Sequence, residues 1–162
     1  MQTEIFCSMF ELRNKQKLKT KNKIMENQTT NKISKIILTD DFKKEILFNS
    51  LCNGLQEMNC YNLSIETKHL DYEKAKKSWL EKNKNQCPCI EDIFMEILLM
   101  GNEIMFEDEE SDEVYRLNLS LSLQNMNKLP IWVVIQFLEE NDDATSADVV
   151  LQFCLFGEII FG

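Results

Sequence analysis

The feature that most constrains the fold is the apolar C-terminal stretch, residues 144–162. Its apolar side chains at positions 147, 150, 151, 154 and 155 have the spacing of one face of an α-helix. Thr145 followed by Asp148 predicts a capping box at the start of this helix, and Gly157 is placed to end it. The apolar residues 159–161 then predict a short buried strand. A loose terminus this apolar would fray, so we expect it to dock in the core with the earlier elements packed around it.

Charge is divided unevenly along the chain. Residues 1–35 hold eight Lys/Arg and three Glu, for a net charge of +5, whereas residues 36–162 hold ten Lys/Arg and twenty-four Asp/Glu, for −14. Residues 1–34 are polar without an amphipathic face and predict a flexible basic tail. Met25 is a second possible start, which leaves open whether residues 1–24 are expressed. Residues 35–162 predict an acidic domain, whose charge disfavours direct binding of nucleic acid or of an anionic membrane.

Segments with helical and strand periodicity alternate in this second part, which predicts an α+β fold. We expect a single compact domain of about four to five helices with a small, partly antiparallel sheet. The first helix is predicted to begin after Thr39 and to end at Gly54. Residues 61–66 predict a strand, and a hairpin is predicted on either side of residues 107–113. The apolar run from Ile131 to Leu138 fits a helix or a strand, and its continuation into two glutamates favours a helix.

Two further helices are predicted between the first strand and the hairpin. Asp71 is the predicted cap of the first of them. Pro88, in the turn Cys87-Pro88-Cys89, is predicted to occupy the first helical position of the second, which Gly101 ends.

The cysteines and the single histidine give no metal-site pattern. Cys87 and Cys89 form a C-x-C pair without zinc spacing, and His69 is the only histidine. We predict that Cys52, Cys60 and Cys154 are small core residues. No secretory signal is present and no apolar run reaches the ~18 residues of a membrane span. These features predict a cytoplasmic protein with reduced thiols and with neither metal nor cofactor.

The densest charge cluster is the predicted hairpin loop. It carries six carboxylates, at Glu107, Asp108, Glu109, Glu110, Asp112 and Glu113. The loop lacks the central glycine and the full ligand pattern of an EF-hand. An acidic surface attracts basic partners, so we predict that this loop binds a protein with a basic surface. The four glycines of the chain form no phosphate-binding motif and no catalytic constellation stands out, so we predict a protein that binds rather than catalyses.

The C-terminal sequence ADVVLQFCLFGEIIFG resembles a family of small uncharacterised phage and mobile-element proteins that end in a similar motif. The matching positions are Ala147, Asp148, Gln152, Leu155, Phe156, Gly157, Glu158 and Gly162. The family's Gly-Gly-x-Asn-Tyr-Trp segment corresponds to residues 56–61, where Asn59 matches and Tyr61 stands in place of Trp. The resemblance covers roughly residues 38–162 and implies a phage or mobile-element context. It thus favours a counter-defence or host-takeover factor that binds a host protein in the host cytosol.

The alternative prediction is a small-molecule binder that sequesters a nucleotide immune signal. Tyr61 and Trp79 are the aromatic residues proposed to stack a base, and Arg116 is the cation proposed for its phosphate. Asn59 is added to this pocket because it matches the family's segment. Self-association is compatible with either prediction.

Overall fold

Six α-helices and three β-strands follow one another in residues 37–162, the part of the chain that the computed structural model describes. This is the predicted α+β class, with one helix more than expected and with a sheet that is antiparallel throughout. The predicted tail, residues 1–34, lies outside the described residues. Along the chain the elements are α1 (Asp40–Cys60), β1 (Leu63–Glu66), α2 (His69–Lys82), α3 (Ile90–Leu99), β2 (Ile104–Asp108), β3 (Val114–Leu117), α4 (Leu119–Asn125), a 3-10 turn (Met126–Lys128), α5 (Ile131–Glu139) and α6 (Ala144–Phe156).

Helix α6 is the central element, because every residue from 146 to 155 is buried. Helices α1, α4 and α5 and strand β3 all pack against it. The predicted capping box is wrong: Asp143 is the N-cap and accepts from the Ser146 amide at 2.8 Å, while Ser146 Oγ accepts from the Asp143 amide at 2.9 Å. Asp148 therefore lies inside the helix rather than in its cap. Gly157 ends the helix as predicted, in the left-handed conformation with φ 80°.

Helix α1 begins at the predicted cap, where Thr39 Oγ1 accepts from the Phe42 amide at 3.3 Å. The predicted end at Gly54 is wrong, since the helix continues to Cys60. A Cβ atom at position 54 would lie only 3.0 Å from the carbonyl carbon of Ala147 and from Leu151 Cδ1. This glycine is therefore needed for the close approach of α1 to α6 rather than for termination.

The sheet has the order β1-β2-β3, with Phe106 of β2 opposite Ile65 of β1 and Tyr115 of β3. Leu63, Ile104, Phe106 and Leu117 are buried, so one face of the sheet covers the helices. The predicted hairpin is confirmed. The first strand is shorter than predicted, because residues 61 and 62 form the turn that leads into it.

Helices α2 and α3 form a pair at the side of the domain. Glu96 of α3 is buried, accepts from Ser78 Oγ at 2.7 Å and forms an ion pair with Lys82 of α2. Helix α2 begins at His69, before the predicted cap at Asp71. Helix α3 begins at Ile90 with Cys89 as its N-cap, so Pro88 lies outside the first helical position where it was predicted.

Of the remaining predictions, some are confirmed and others are wrong. The run from Ile131 to Leu138 is helical, as favoured, but the predicted C-terminal strand at residues 159–161 is wrong, because these residues belong to no sheet. Cys154 is buried as predicted, whereas Cys52 and Cys60 are exposed and do not belong to the core. No helix within residues 37–162 is long and apolar enough to cross a membrane.

Candidate functional site

The acidic loop between β2 and β3 is held in one conformation by its own Asp108. Asp108 Oδ1 accepts from the backbone amide of Glu110 at 2.8 Å and from that of Ser111 at 3.3 Å. Asp108 Oδ2 accepts from Ser111 Oγ at 2.8 Å. The bond from the Ser111 hydroxyl and then the bond from the Glu110 amide lower the pKa of Asp108. This carboxylate is therefore ionised at neutral pH and is used to build the loop.

Asn62 ties the loop to the turn that follows α1. Its carbonyl oxygen accepts from the Glu109 amide at 3.1 Å, and its Nδ2 donates to Glu110 Oε1 at 2.7 Å. Asn62 has a φ of 58°, a conformation that Asn adopts more readily than most residues. The loop thus rests on a second, separate part of the chain.

The six predicted acidic residues divide into two groups. Glu107 and Asp108 are half-buried, whereas Glu109, Glu110, Asp112 and Glu113 are exposed. The ion pairs of residues 37–162 lie elsewhere and involve none of the six. The loop therefore presents four exposed carboxylates, without a cationic partner in the described part of the chain, on an ordered backbone.

The four residues of the alternative ligand pocket are divided among three elements. Asn59 and Tyr61 are at the end of α1, Trp79 is on α2 and packs against the core, and Arg116 is on β3. Arg116 pairs with Glu103, with 3.4 Å between Nη1 and Oε2. Within residues 37–162, no hydrogen bond, ion pair or ring contact joins Tyr61 to Trp79 or to Arg116.

Tyr61 is instead part of a C-terminal cluster for which the sequence predicted no role. Its ring stacks on Phe161 with 4.5 Å between the centroids and 12° between the planes, and its hydroxyl donates to Asp148 Oδ2 at 3.0 Å. Phe161 also meets Phe156 edge-on at 5.8 Å, and Phe156 meets Tyr115 at 4.8 Å. One face of the Tyr61 ring is therefore already occupied.

Gln152 holds the last residues of the chain in this cluster. It is fully buried, and its Oε1 accepts from the amides of Ile160 and Phe161, both at 2.8 Å. Its Nε2 donates to the Phe161 carbonyl at 3.0 Å and to Asp148 Oδ2 at 2.9 Å. The available signal was a glutamine in an otherwise apolar helical run, because a buried amide must find partners for both of its ends.

Asp148 is the buried acid of the cluster and keeps one oxygen without a hydrogen-bond partner, Oδ1. Burial raises the pKa of Asp148, although the bonds from Gln152 and Tyr61 act in the opposite direction. Burial and the bond to Asp148 raise the pKa of the Tyr61 phenol to about 12.

Two thiols of the described residues, those of Cys89 and Cys154, offer little nucleophilic character. Burial raises the pKa of Cys154 to about 12 and that of Cys89 to about 11, so both remain protonated at neutral pH. No group of three or more His, Cys, Asp or Glu within residues 37–162 is arranged to hold a metal ion.

Comparison with protein-family models, with curated proteins and with solved structures gives no match. The acidic loop is therefore a candidate binding site on the basis of its own geometry and charge.

Proposed function

We propose that the protein is a non-catalytic binding protein whose acidic loop occupies a basic surface on a partner protein. The observation that carries this proposal is that the exposed carboxylates of residues 109–113 have no cationic partner within residues 37–162, while Asp108 and Asn62 fix the backbone that presents them. A fixed loop loses little conformational entropy on binding, and clustered charge accelerates encounter with an oppositely charged surface.

Asp112 also belongs to the exposed part of the loop. Its φ is 58°, a left-handed conformation that aspartate adopts more readily than most residues. The phage or mobile-element setting, and with it a counter-defence or host-takeover role in the host cytosol, rests on the resemblance of the C-terminal sequence alone.

The test compares two variants of equal net charge. The loop variant is Glu109→Gln, Glu110→Gln, Asp112→Asn and Glu113→Gln, which leaves Asp108 in place to hold the loop. The control variant is Glu66→Gln, Glu139→Gln, Glu140→Gln and Glu158→Gln, all at exposed positions outside the loop. Full-length wild type and both variants are immobilised, and the proteins they retain from bacterial lysate are quantified by mass spectrometry.

We expect at least one protein to be retained by wild type and by the control. The amount of it that the loop variant retains should be lower by about tenfold or more. Its association rate with wild type should also fall as salt is raised, because exposed charges are screened. Equal retention by both variants would contradict the proposal. Release of a nucleotide on heating the purified protein would favour the small-molecule alternative instead.

A further inference from the structure

Helix α2 has an outer face that the rest of the domain does not cover. Ala75 is its one buried residue, and α2 packs chiefly against α3. At about 100° per residue, position 77 points away from Ala75 on the opposite side of the helix. Leu70 and Leu80 are 63% and 40% exposed. These two leucines lie on the outer side of the helix.

This outer face contains a shallow groove of about 340 Å³. Four of its lining residues, at positions 73, 76, 77 and 80, follow the helical spacing i, i+3, i+4, i+7. Four side chains at this spacing form the hole that receives one side chain of a facing helix in knobs-into-holes packing. The groove therefore corresponds to one such hole, extended by Glu81 and by Lys84, which lies in the turn just beyond the end of α2. It is lined by Glu73, Lys76, Lys77, Leu80, Glu81 and Lys84.

The charged groups on this face have no partners in the described part of the chain. The side chains of the two glutamates and three lysines that line the groove make no ion pair and no hydrogen bond with another residue of 37–162. Residues 68–84 carry six lysines and three acids, so this segment is basic within an otherwise acidic region. The face thus offers both signs of charge around an exposed leucine.

We propose that this face of α2 binds the same face of a second copy of the protein, with the two helices antiparallel. When the two-fold axis passes between the levels of residues 78 and 79, Glu73 of each copy lies level with the C-terminal end of α2 in the other, where Lys84 lines the groove from the following turn. Leu80 of each copy then inserts beside Lys77 of the other, along the aliphatic part of that lysine. On the flank, Lys74 of each copy lies near Glu81 of the other.

The charges also disfavour the parallel arrangement. Two parallel copies in register would place Glu73 opposite Glu73 and Lys84 opposite Lys84, and like charges in contact disfavour pairing. The antiparallel arrangement makes the face complementary to itself, which is the requirement for a two-fold symmetric dimer. The contact is short and mostly polar, so the dimer should be weak and should depend on concentration.

The test uses charge exchange in the full-length chain. The basic variant is Glu73→Lys with Glu81→Lys, and the acidic variant is Lys74→Glu with Lys84→Glu. Each variant alone opposes like charges across the proposed contact, whereas a mixture of the two restores every opposite-sign pair. The control, Glu66→Lys with Glu139→Lys, makes the same charge change as the basic variant at exposed positions on other elements. Leu80→Glu removes the inserted apolar side chain.

Masses are measured by sedimentation equilibrium from about 10 μM to 1 mM, a range suited to a weak contact. We expect wild type and the control to rise from 19.1 kDa toward twice that mass. The Leu80→Glu variant and each charge variant alone should stay monomeric, and the mixture should recover at least half of the wild-type dimer. A monomeric wild type overturns the proposal. So does a basic variant that dimerises like wild type, or a mixture that stays monomeric although wild type dimerises.

Discussion

The acidic loop and the C-terminal segment are both irregular pieces of backbone that a single side chain holds in place. Asp108 accepts from two backbone amides in the loop, and Gln152 accepts from two backbone amides in residues 160–161. The difference is burial, since the loop lies at the surface and Gln152 is fully buried. Water can replace a lost partner only at the surface, so the comparison teaches that the loop is free to change and the C-terminal segment is not.

The strongest test of this difference is removal of the C-terminal segment. Deleting residues 156–162 removes Phe156 and Phe161, whose partial burial contributes at most about 3–6 kcal/mol, and leaves the Gln152 amide without its partners at a further cost of about 1–3 kcal/mol. Small domains are stable by only about 5–15 kcal/mol, so we expect loss of soluble folding. Expression in soluble form and thermal melting provide the measurement.

The matched control is Ile159→Ser with Ile160→Ser. Both isoleucines are about half exposed, at 48% and 55%, so this variant should melt close to wild type. A truncated protein that is soluble and melts cooperatively would show that the segment is dispensable.

Gln152→Leu tests the clamp without shortening the chain. It leaves two backbone amides and one carbonyl without their partner and removes one of the two bonds to Asp148, so we expect a loss of about 2–4 kcal/mol in urea unfolding. Gln124→Leu, at an exposed position of α4, should stay within about 0.5 kcal/mol of wild type. Equal stabilities for the two variants would remove the distinction drawn between the two regions.

Tyr61→Phe measures one bond of the same cluster. The change keeps the ring that stacks on Phe161 and removes the hydroxyl that donates to Asp148. A hydrogen bond to a charged group contributes about 1.5–3 kcal/mol, so unfolding in urea should show a loss in this range. If Asp148→Asn abolishes that loss, the bond owes its strength to the charge of Asp148. A Tyr61→Phe variant as stable as wild type would contradict the assigned bond.

The two aspartates give opposite dependences on pH. The pKa of Asp108 is lowered, so its stabilising contribution is present above its unfolded pKa and is lost as pH falls through the folded pKa. The pKa of Asp148 is raised, so its contribution is complete below the unfolded pKa and is lost as pH rises through the folded pKa. Carboxyl titration by NMR should place Asp108 below, and Asp148 above, the ordinary value of about 3.9. If both pKa values were shifted in the same direction, the difference between the two aspartates would be contradicted.

The elements that the sequence predicted best are those in which local pattern and tertiary packing agree. Thr39, Gly157 and the hairpin around residues 107–113 depend on capping and turn preferences that act within a few residues. Gly54 was misread as a stop, because the contact that requires a glycine lies on α6, more than ninety residues away. No local pattern contains that information.

The candidate site shows the same limit. The positions of the loop carboxylates follow from the sequence, but the division of labour between Asp108 and its exposed neighbours depends on hydrogen bonds that only the folded loop makes. Tyr61 was grouped with Trp79 because both are aromatic. Its partners are Phe161 and Asp148, which the packing of α1 against α6 brings to it.

The clamp at Gln152 has a consequence for hydrogen exchange. The amides of Ile160 and Phe161 belong to no helix or strand, yet both donate to an oxygen that is buried. They should therefore exchange with solvent deuterium far more slowly than the amides of Glu110 and Ser111, whose bonds to Asp108 lie at the surface, and at a rate that follows opening of the α6 region. Judged by protection alone, the end of the chain would resemble the strand that its apolar sequence predicts, although its partner is one side chain.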